Sequence, residues 1–390
     1  MSRDPDQRKI MIITSVHVWN DTRIFFKEAV SLALKHFAVV LVGISNENKT
    51  FYHKGVKIYT MKRTGRLIRW ISWFTIFKLA LREKSEIIHF HDPELIPLGI
   101  FLKLIKKRVI FDVHEDFAKQ LSDKEWLPKF VRTMLSAIYK QTERFAPKIF
   151  DKVILAEDSY LGNFSTSHNI SIIHNYTKIP REYKIDYKFD SFKMIYVGDI
   201  RIIRGIREYI KIVETSLKNG LDVHLFVVGS FAEESLQREI KIEINRKGLE
   251  SNIKFWGRIP NEEIYPIMRM CDIGLALLHP VRNYLNSYPT KLFEYMSVGL
   301  PVLASKFELW EHIIIQNECG RCVDPFDVNR ACEVVKGYYD SEDLRKRHGS
   351  NGRKAVGIKY NWDNEAQLLY NIYSSLLRPE ASRGNELHTQ

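Results

Sequence analysis

What most constrains this chain is a succession of short segments, rich in Val and Ile, that are apolar at nearly every position rather than at alternate ones. KIMIITS, AVVLVGI, VKIYT, EIIHF, RVIFDV, KVILA and ISIIH occupy the first half; MIYVG, DVHLFVVG, NIKFWG, DIGLALL and LPVLAS occupy the second. A strand covered on one face alternates, whereas a strand apolar on both faces belongs in a parallel sheet with helices on either side. The intervening segments fit that role. A helix carrying Phe26, Ala29, Leu32 and Ala33 separates the first two strands, and others are predicted over 66–83, 94–105, 129–145, 205–218, 232–247, 261–270 and 288–298. Repeated strand–helix units wind into α/β sheets, and 390 residues suffice for two such domains, each with a core of its own.

The pattern is interrupted once. Between Thr177 and Ser191 the chain becomes polar, loses helical periodicity and carries Pro180, the signature of a linker. The fold class expected is therefore α/β, with two doubly wound, Rossmann-like domains over 1–178 and 192–361 facing across a cleft. A last helix over 362–378 has an apolar stripe through Ala366, Leu369, Ile372 and Leu376, and is expected to cross back to the first domain. The tail 379–390 reads as disordered.

Lys and Arg outnumber Asp and Glu by 59 to 47, a net charge of +12 that favours anionic partners. No nucleic-acid-binding module occurs in the sequence, which leaves phosphorylated small molecules and acidic lipid headgroups. The N-terminus MSRDPDQRKIMIITS reads as a first strand rather than a secretion signal, so a cytoplasmic location is expected. Leu67 to Leu81, the longest apolar segment, is interrupted by Arg69 and Lys78 and falls short of the roughly 20 residues that span a bilayer. Residues 62–84 instead combine Trp70, Trp73, Phe74 and Phe77 with many Lys and Arg, a pattern expected to rest on an anionic membrane surface. Cys271, Cys319, Cys322 and Cys332 include one C-x-x-C but no second pair or neighbouring His, so free thiols and no metal site are expected.

In doubly wound sheets ligands meet the carboxyl ends of strands, and the chemistry-bearing residues collect there. In NSYPTKLFEYMSVGLPVLAS, residues 286–305, a helix opens behind Pro289 with Lys291 and Glu294 three residues apart on one face. Backbone N–H groups at such an end attract phosphate, Lys291 can offset its charge, and the Glu294 carboxylate can accept two hydroxyl hydrogen bonds from a ribose diol. In YVGDIRIIRGIREYI a strand leads through Gly198 to Arg201 and Arg204, whose guanidinium groups stay ionised and can grip two phosphate oxygens. IIHFHDPEL and RVIFDVHEDF place His91 and His114 directly after strands, and the loop SVHVWNDTRIFFKEA after the first strand presents His17, Asp21, Arg23 and Lys27.

These segments together resemble the family 4 retaining glycosyltransferases of the surface-polysaccharide type, which have the two-domain GT-B architecture. Glu294, Gly299, Pro301 and Val302 fill that family's signature, and Arg204-Gly205 fills its cation–Gly pair. Two positions depart from it: Asn286 stands where relatives have a second Glu, and Asp199 where they have an Arg. An amide at 286 can hydrogen-bond but cannot act as a base. The resemblance implies donor binding by Gly198, Arg201, Arg204, Asn286, Thr290, Lys291, Leu292 and Glu294, with His114, Glu294 and Arg204 as catalytic residues. It implies an acceptor-binding N-terminal domain, for which His17, Asp21, Arg23 and His91 are candidates. The implied reaction moves a hexose-type sugar from a nucleotide diphosphate donor to a glycan or lipid-linked acceptor, without metal or other cofactor, at the inner face of the cell membrane. A nucleotide-sugar epimerase of the same fold, or a non-catalytic sugar-nucleotide-binding subunit, would share many of these residues.

Overall fold

In the computed structural model the chain divides into two units, Met1–Asn175 with Asp363–Gln390, and Tyr176–Trp362. The structure describes residues 7–63, 65, 69–114, 117, 128–165, 167–180 and 191–378. Linker residues 181–190, the tail 379–390, and residues 64 and 66–68 of the basic aromatic segment lie outside the described residues.

The first unit carries β1 (Lys9–Val18), β2 (Ala38–Ser45), β3 (Lys49–His53), β4 (Val56–Lys62), β5 (Ile87–Phe90), β6 (Arg108–Val113), β7 (Lys152–Leu155) and β8 (Ile170–Ile172). Their order is β3-β4-β2-β1-β5-β6-β7-β8. All seven expected strands are present, and all pair in parallel. The addition is β3, which pairs antiparallel with β4 across a turn at Lys54-Gly55, both at positive φ. KTFYH is largely solvent-facing and sits at the sheet edge, so it carries none of the apolar pattern that marked the other strands.

The second unit holds β9 (Phe192–Val197), β10 (Val223–Val228), β11 (Ile253–Gly257), β12 (Ile273–Ala276), β13 (Val302–Ser305) and β14 (Gly320–Val323), in the order β11-β10-β9-β12-β13-β14. Taken in sequence this is three-two-one-four-five-six, the dinucleotide-binding order, and every pairing is parallel. β14 was not anticipated, because GRCV is short and half polar. β9 shows why its sequence does not alternate: Met194 and Tyr196 join the core on one face of the sheet, Ile195 and Val197 the core on the other. At about 1.5–3 kcal/mol for each fully buried large apolar side chain, two covered faces give this sheet its cohesion.

One expectation for the first unit changes. The segment after β1 is π-helical over Thr22–Ala29 before continuing as an α-helix over Val30–Leu34. The Arg69–Arg82 helix divides its side chains between core and surface. Ile76 and Ala80 are core residues, Trp73 and Phe77 pack partly buried against them, and Phe74 remains exposed. The closing helix, Trp362–Leu377, returns to the first unit as expected. Tyr373 Oη lies 2.7 Å from His89 Nδ1, and Glu365 accepts the His174 backbone N–H at 2.8 Å. Among the described residues all four cysteines are free thiols, and no helix is long and apolar enough to cross a membrane.

Candidate functional site

Strand order in the second unit reverses between β9 and β12, so a ligand is expected beyond their carboxyl ends. There β9 runs into Gly198, at φ +136°. A Cβ on this residue would lie 3.2 Å from Arg204 Nη1, 3.2 Å from the Tyr196 hydroxyl and 3.3 Å from Lys291 Nζ. Two cations from distant parts of the sequence thus converge on one backbone position, held in a conformation that favours glycine. The loop closes through a 3₁₀ turn over Ile202–Arg204 and Gly205, at φ +85°, before the Ile206–Lys218 helix. A Cβ on Gly205 would stand 2.1 Å from the Leu277 carbonyl oxygen, so this turn seats directly on the chain leaving β12.

Lys291 is in the first turn of the Thr290–Ser297 helix and is 8% exposed. Its Nζ lies 4.3 Å from the centre of the Tyr196 ring and has no hydrogen-bond acceptor among the described residues. Burial, reinforced by the Arg204 charge, lowers its pKa to about 7. Arg204 Nε donates to the Tyr284 hydroxyl at 3.3 Å, and its Nη2 is 4.0 Å from Asp199 Oδ2, leaving the head group partly open to solvent. A buried ammonium lacking an acceptor is costly, and it becomes an asset when an anion arrives. Beside it are an arginine and the amide-rich start of a helix, the elements of a phosphate cradle.

The other predicted donor residues divide. Glu294 is half-buried one turn along the same helix, and Thr290 is half-buried at the helix start. Leu292 is a correction: its side chain is fully buried in the core and its amide donates to the Pro289 carbonyl, so it has no face toward a ligand. Arg201 and Asn286 are both exposed, the latter ending the short Arg282–Leu285 helix. Tyr196 and Tyr284 were missed. Tyr196 reads in the sequence as one more strand residue, and nothing marks Tyr284 as a partner of Arg204.

In the first unit the strand order reverses between β1 and β5, and the predicted histidines gather there with buried charges. Arg23 donates from Nη2 to Asp112 Oδ2 at 2.9 Å and from Nη1 to the Ile173 carbonyl at 3.0 Å, and its Nε is 2.9 Å from Glu28 Oε1. His91 lies between the same carboxylates, 3.2 Å from Glu28 and 3.7 Å from Asp112, and both imidazole nitrogens are enclosed. Burial works against a charged His91, but Glu28 and Asp112 outweigh it and raise its pKa to about 10. Burial likewise opposes the Asp112 carboxylate, yet Arg23 and the surrounding histidines hold its pKa well below the usual carboxylate range.

Arg23 and His91, expected on the acceptor side, are therefore corrected to internal charge partners. Asp21 caps the helical turn, accepting from the Arg23 and Ile24 amides. Glu28, His89, His91 and Asp112 could by geometry hold a metal, since their ligand atoms lie within 4.8 Å of one another. However, Arg23 and protonated His91 already balance Glu28 and Asp112, and a divalent ion would have to displace them. The part that opens outward is a histidine pair: His114 Nε2 and His17 Nε2 are 3.1 Å apart. His114 Nδ1 is 3.6 Å from Asp112 and His17 is 3.6 Å from Asp92, while both imidazoles keep some solvent access. Burial and the facing His114 lower the pKa of His17.

Residues 181–355 match the family model of the glycosyl transferases group 1. The capsular polysaccharide biosynthesis glycosyltransferase CapM of Staphylococcus aureus is 27% identical over 199 residues, 47% of this chain and 47% of that protein. The chain spans about half the length of the curated relatives it matches. Among solved structures, sucrose-phosphate synthase from Thermosynechococcus elongatus superposes with a TM-score of 0.72 at 18% identity, covering 95% of this chain and 99% of that one. Anabaena HepE in complex with UDP and glucose gives 0.69 at 14% identity, covering 95% and 100%. The chain has the GT-B fold, and its residues 181–355 match the glycosyl transferases group 1 family model.

Proposed function

We propose that the chain is a retaining glycosyltransferase that moves a hexose-type sugar from a nucleotide diphosphate donor onto a glycan or lipid-linked acceptor during cell-surface polysaccharide synthesis. The observation that carries this reading is the buried, acceptor-less ammonium of Lys291 beside Arg204 and Gly198. A diphosphate supplies the missing partner for both cations. It is also the group on which negative charge grows as the sugar–oxygen bond breaks, so the same contacts favour departure. Glu294 takes the ribose hydroxyls. His114 donates a hydrogen bond to the transferred sugar, and Asn286 remains a polar contact without a base's role. The cations answer the diphosphate charge themselves, so the reaction proceeds without a divalent metal. The protein acts in the cytoplasm, at the inner face of the membrane.

The test begins with thermal unfolding in the presence of UDP-, GDP- and ADP-sugars, because a ligand that binds only the folded state raises its melting temperature. One base should stabilise, EDTA should leave the shift intact, and Lys291→Met and Arg204→Ala should abolish it. Transfer to an acceptor extract should fall at least a hundredfold in Glu294→Ala and His114→Ala. Conversion of the donor in the absence of acceptor would instead identify an epimerase. If no nucleotide sugar stabilises the fold at millimolar concentration, the reading fails.

A further inference from the structure

The segment that joins β12 to the Thr290–Ser297 helix has one short helical turn, Arg282–Leu285, and is pinned along its length. Near its start the His279 amide donates to the Ile203 carbonyl at 2.9 Å. Near its end the indole N–H of the fully buried Trp310 donates to the Ser287 carbonyl at 2.8 Å. Between these anchors Tyr284 packs, partly buried, against the core on the Ile195 face of the second sheet, and its hydroxyl accepts from Arg204 Nε at 3.3 Å. Phenylalanine would pack as well, so what the hydroxyl adds lies in its hydrogen bonds.

That bond decides how Arg204 can be used. A guanidinium carries its five N–H donors in a fixed planar fork. With Nε–H given to Tyr284, the edge that remains is formed by Nη1 and Nη2. Nη1 is the atom 3.2 Å from the Cβ position of Gly198, the point on which Lys291 Nζ also converges at 3.3 Å. The free edge of the fork is thus brought to the same place as the buried ammonium. The Asp199 carboxylate, 4.0 Å from Nη2, offsets part of the guanidinium charge, so the cradle gains from a further donor. Tyr284 has one to give. Its hydroxyl spends a lone pair on Arg204 and keeps its hydrogen, which no group among the described residues accepts. The neighbouring Tyr196 hydroxyl differs, since it gives its hydrogen to the Asp199 carbonyl at 2.8 Å.

We infer that Tyr284 binds the donor: its hydroxyl holds the Arg204 fork in place through Nε and gives its own hydrogen to a diphosphate oxygen. One oxygen atom then accepts from the arginine and donates to the anion, and each bond polarises the other. The inference rests on the reading of this site as a diphosphate cradle and adds the residue that orients its arginine.

The test is calorimetric titration of the full chain with inorganic pyrophosphate, which carries the diphosphate and no base. Tyr284→Phe keeps the ring, so the ligand-free melting temperature should not move, while pyrophosphate should bind about tenfold more weakly. Arg204→Lys keeps the charge but has no Nε–H. In that chain the same tyrosine change should cost only about threefold, because the orienting bond is already gone and the direct one remains. Equal losses in the two backgrounds would show that the hydroxyl does not work with Arg204, and no loss in the Arg204→Lys chain would show that it does not reach the anion. Either result overturns the inference. Pyrophosphate binding that is lost in Lys291→Met but intact in Tyr284→Phe overturns it too, and leaves the donor reading standing. Pyrophosphate bound in the expected pattern, with no nucleotide sugar stabilising the fold, would instead end the donor reading and keep Tyr284 as part of an anion site.

Discussion

At the scale of single residues, Lys291 sets stability against binding. Its pKa in the folded chain is about 7, against 10.5 when unfolded. Between those values the unfolded chain holds a proton that the folded chain lacks, so stability rises with pH across that window, and below about pH 7 the cost of the buried charge is at its fullest. Lys291→Met removes the charge and keeps the bulk, and should stabilise the nucleotide-free protein by about 1–3 kcal/mol at neutral pH, read by urea denaturation. A diphosphate draws the proton back onto the amine. Nucleotide binding should therefore take up a proton above pH 7 and weaken by up to roughly tenfold per pH unit, a slope that calorimetry in buffers of different ionisation enthalpy would resolve and that Lys291→Met would flatten. A slope unchanged by the substitution would mean that the cation does not meet the ligand. The sequence identified Lys291 through its spacing from Glu294, but not its burial, because the ring beneath it comes from Tyr196 in β9, far back along the chain. Arg23 was misread for the same reason: Asp112, which claims its guanidinium, lies far along the chain, and a cation in a loop looks the same in a sequence whether it faces solvent or a buried carboxylate.

At the scale of elements, the turn between β9 and the Ile206–Lys218 helix carries the donor side of the site, and Gly205 is its fixed point. A side chain there meets both a left-handed backbone, at φ +85°, and the Leu277 carbonyl 2.1 Å away. Gly205→Ala should cost about 2–4 kcal/mol, the sum of backbone strain and a clash with main chain that has little freedom to yield. The urea midpoint should fall with its slope unchanged, and because Arg204 precedes the turn directly, nucleotide affinity should fall with it. A midpoint equal to the wild type would show that the turn is free to rebuild. Elements apolar on both faces were legible to within a few residues, since parallel-sheet burial leaves its mark at every position. β3 and β14 were not, one being an exposed hairpin edge and the other four residues long with a glycine and an arginine. The π-helical turn after β1 was equally invisible, because it depends on how Asp21 caps the chain rather than on periodicity.

At the scale of the whole molecule, the returning helix could be read from its periodicity, yet its consequence is energetic: the first unit is discontinuous in sequence and the second, which begins at Tyr176 ahead of the expected linker, is not. Gly198, Arg204, Lys291 and Glu294 all belong to Tyr176–Trp362, which has its own parallel sheet and cores on both its faces. That stretch alone should fold cooperatively and retain the melting-temperature rise given by the preferred nucleotide, with no capacity for sugar transfer. Met1–Asn175 alone should not fold, because removing Asp363–Leu377 takes away Tyr373, fully buried and hydrogen-bonded to His89, and Glu365, which accepts the His174 amide. Supplying residues 363–378 through a short flexible connection after Asn175 should restore a cooperative transition, seen in near-ultraviolet dichroism. Should Met1–Asn175 unfold as sharply without that helix as with it, the returning segment would be an addition to a self-sufficient unit rather than part of its core.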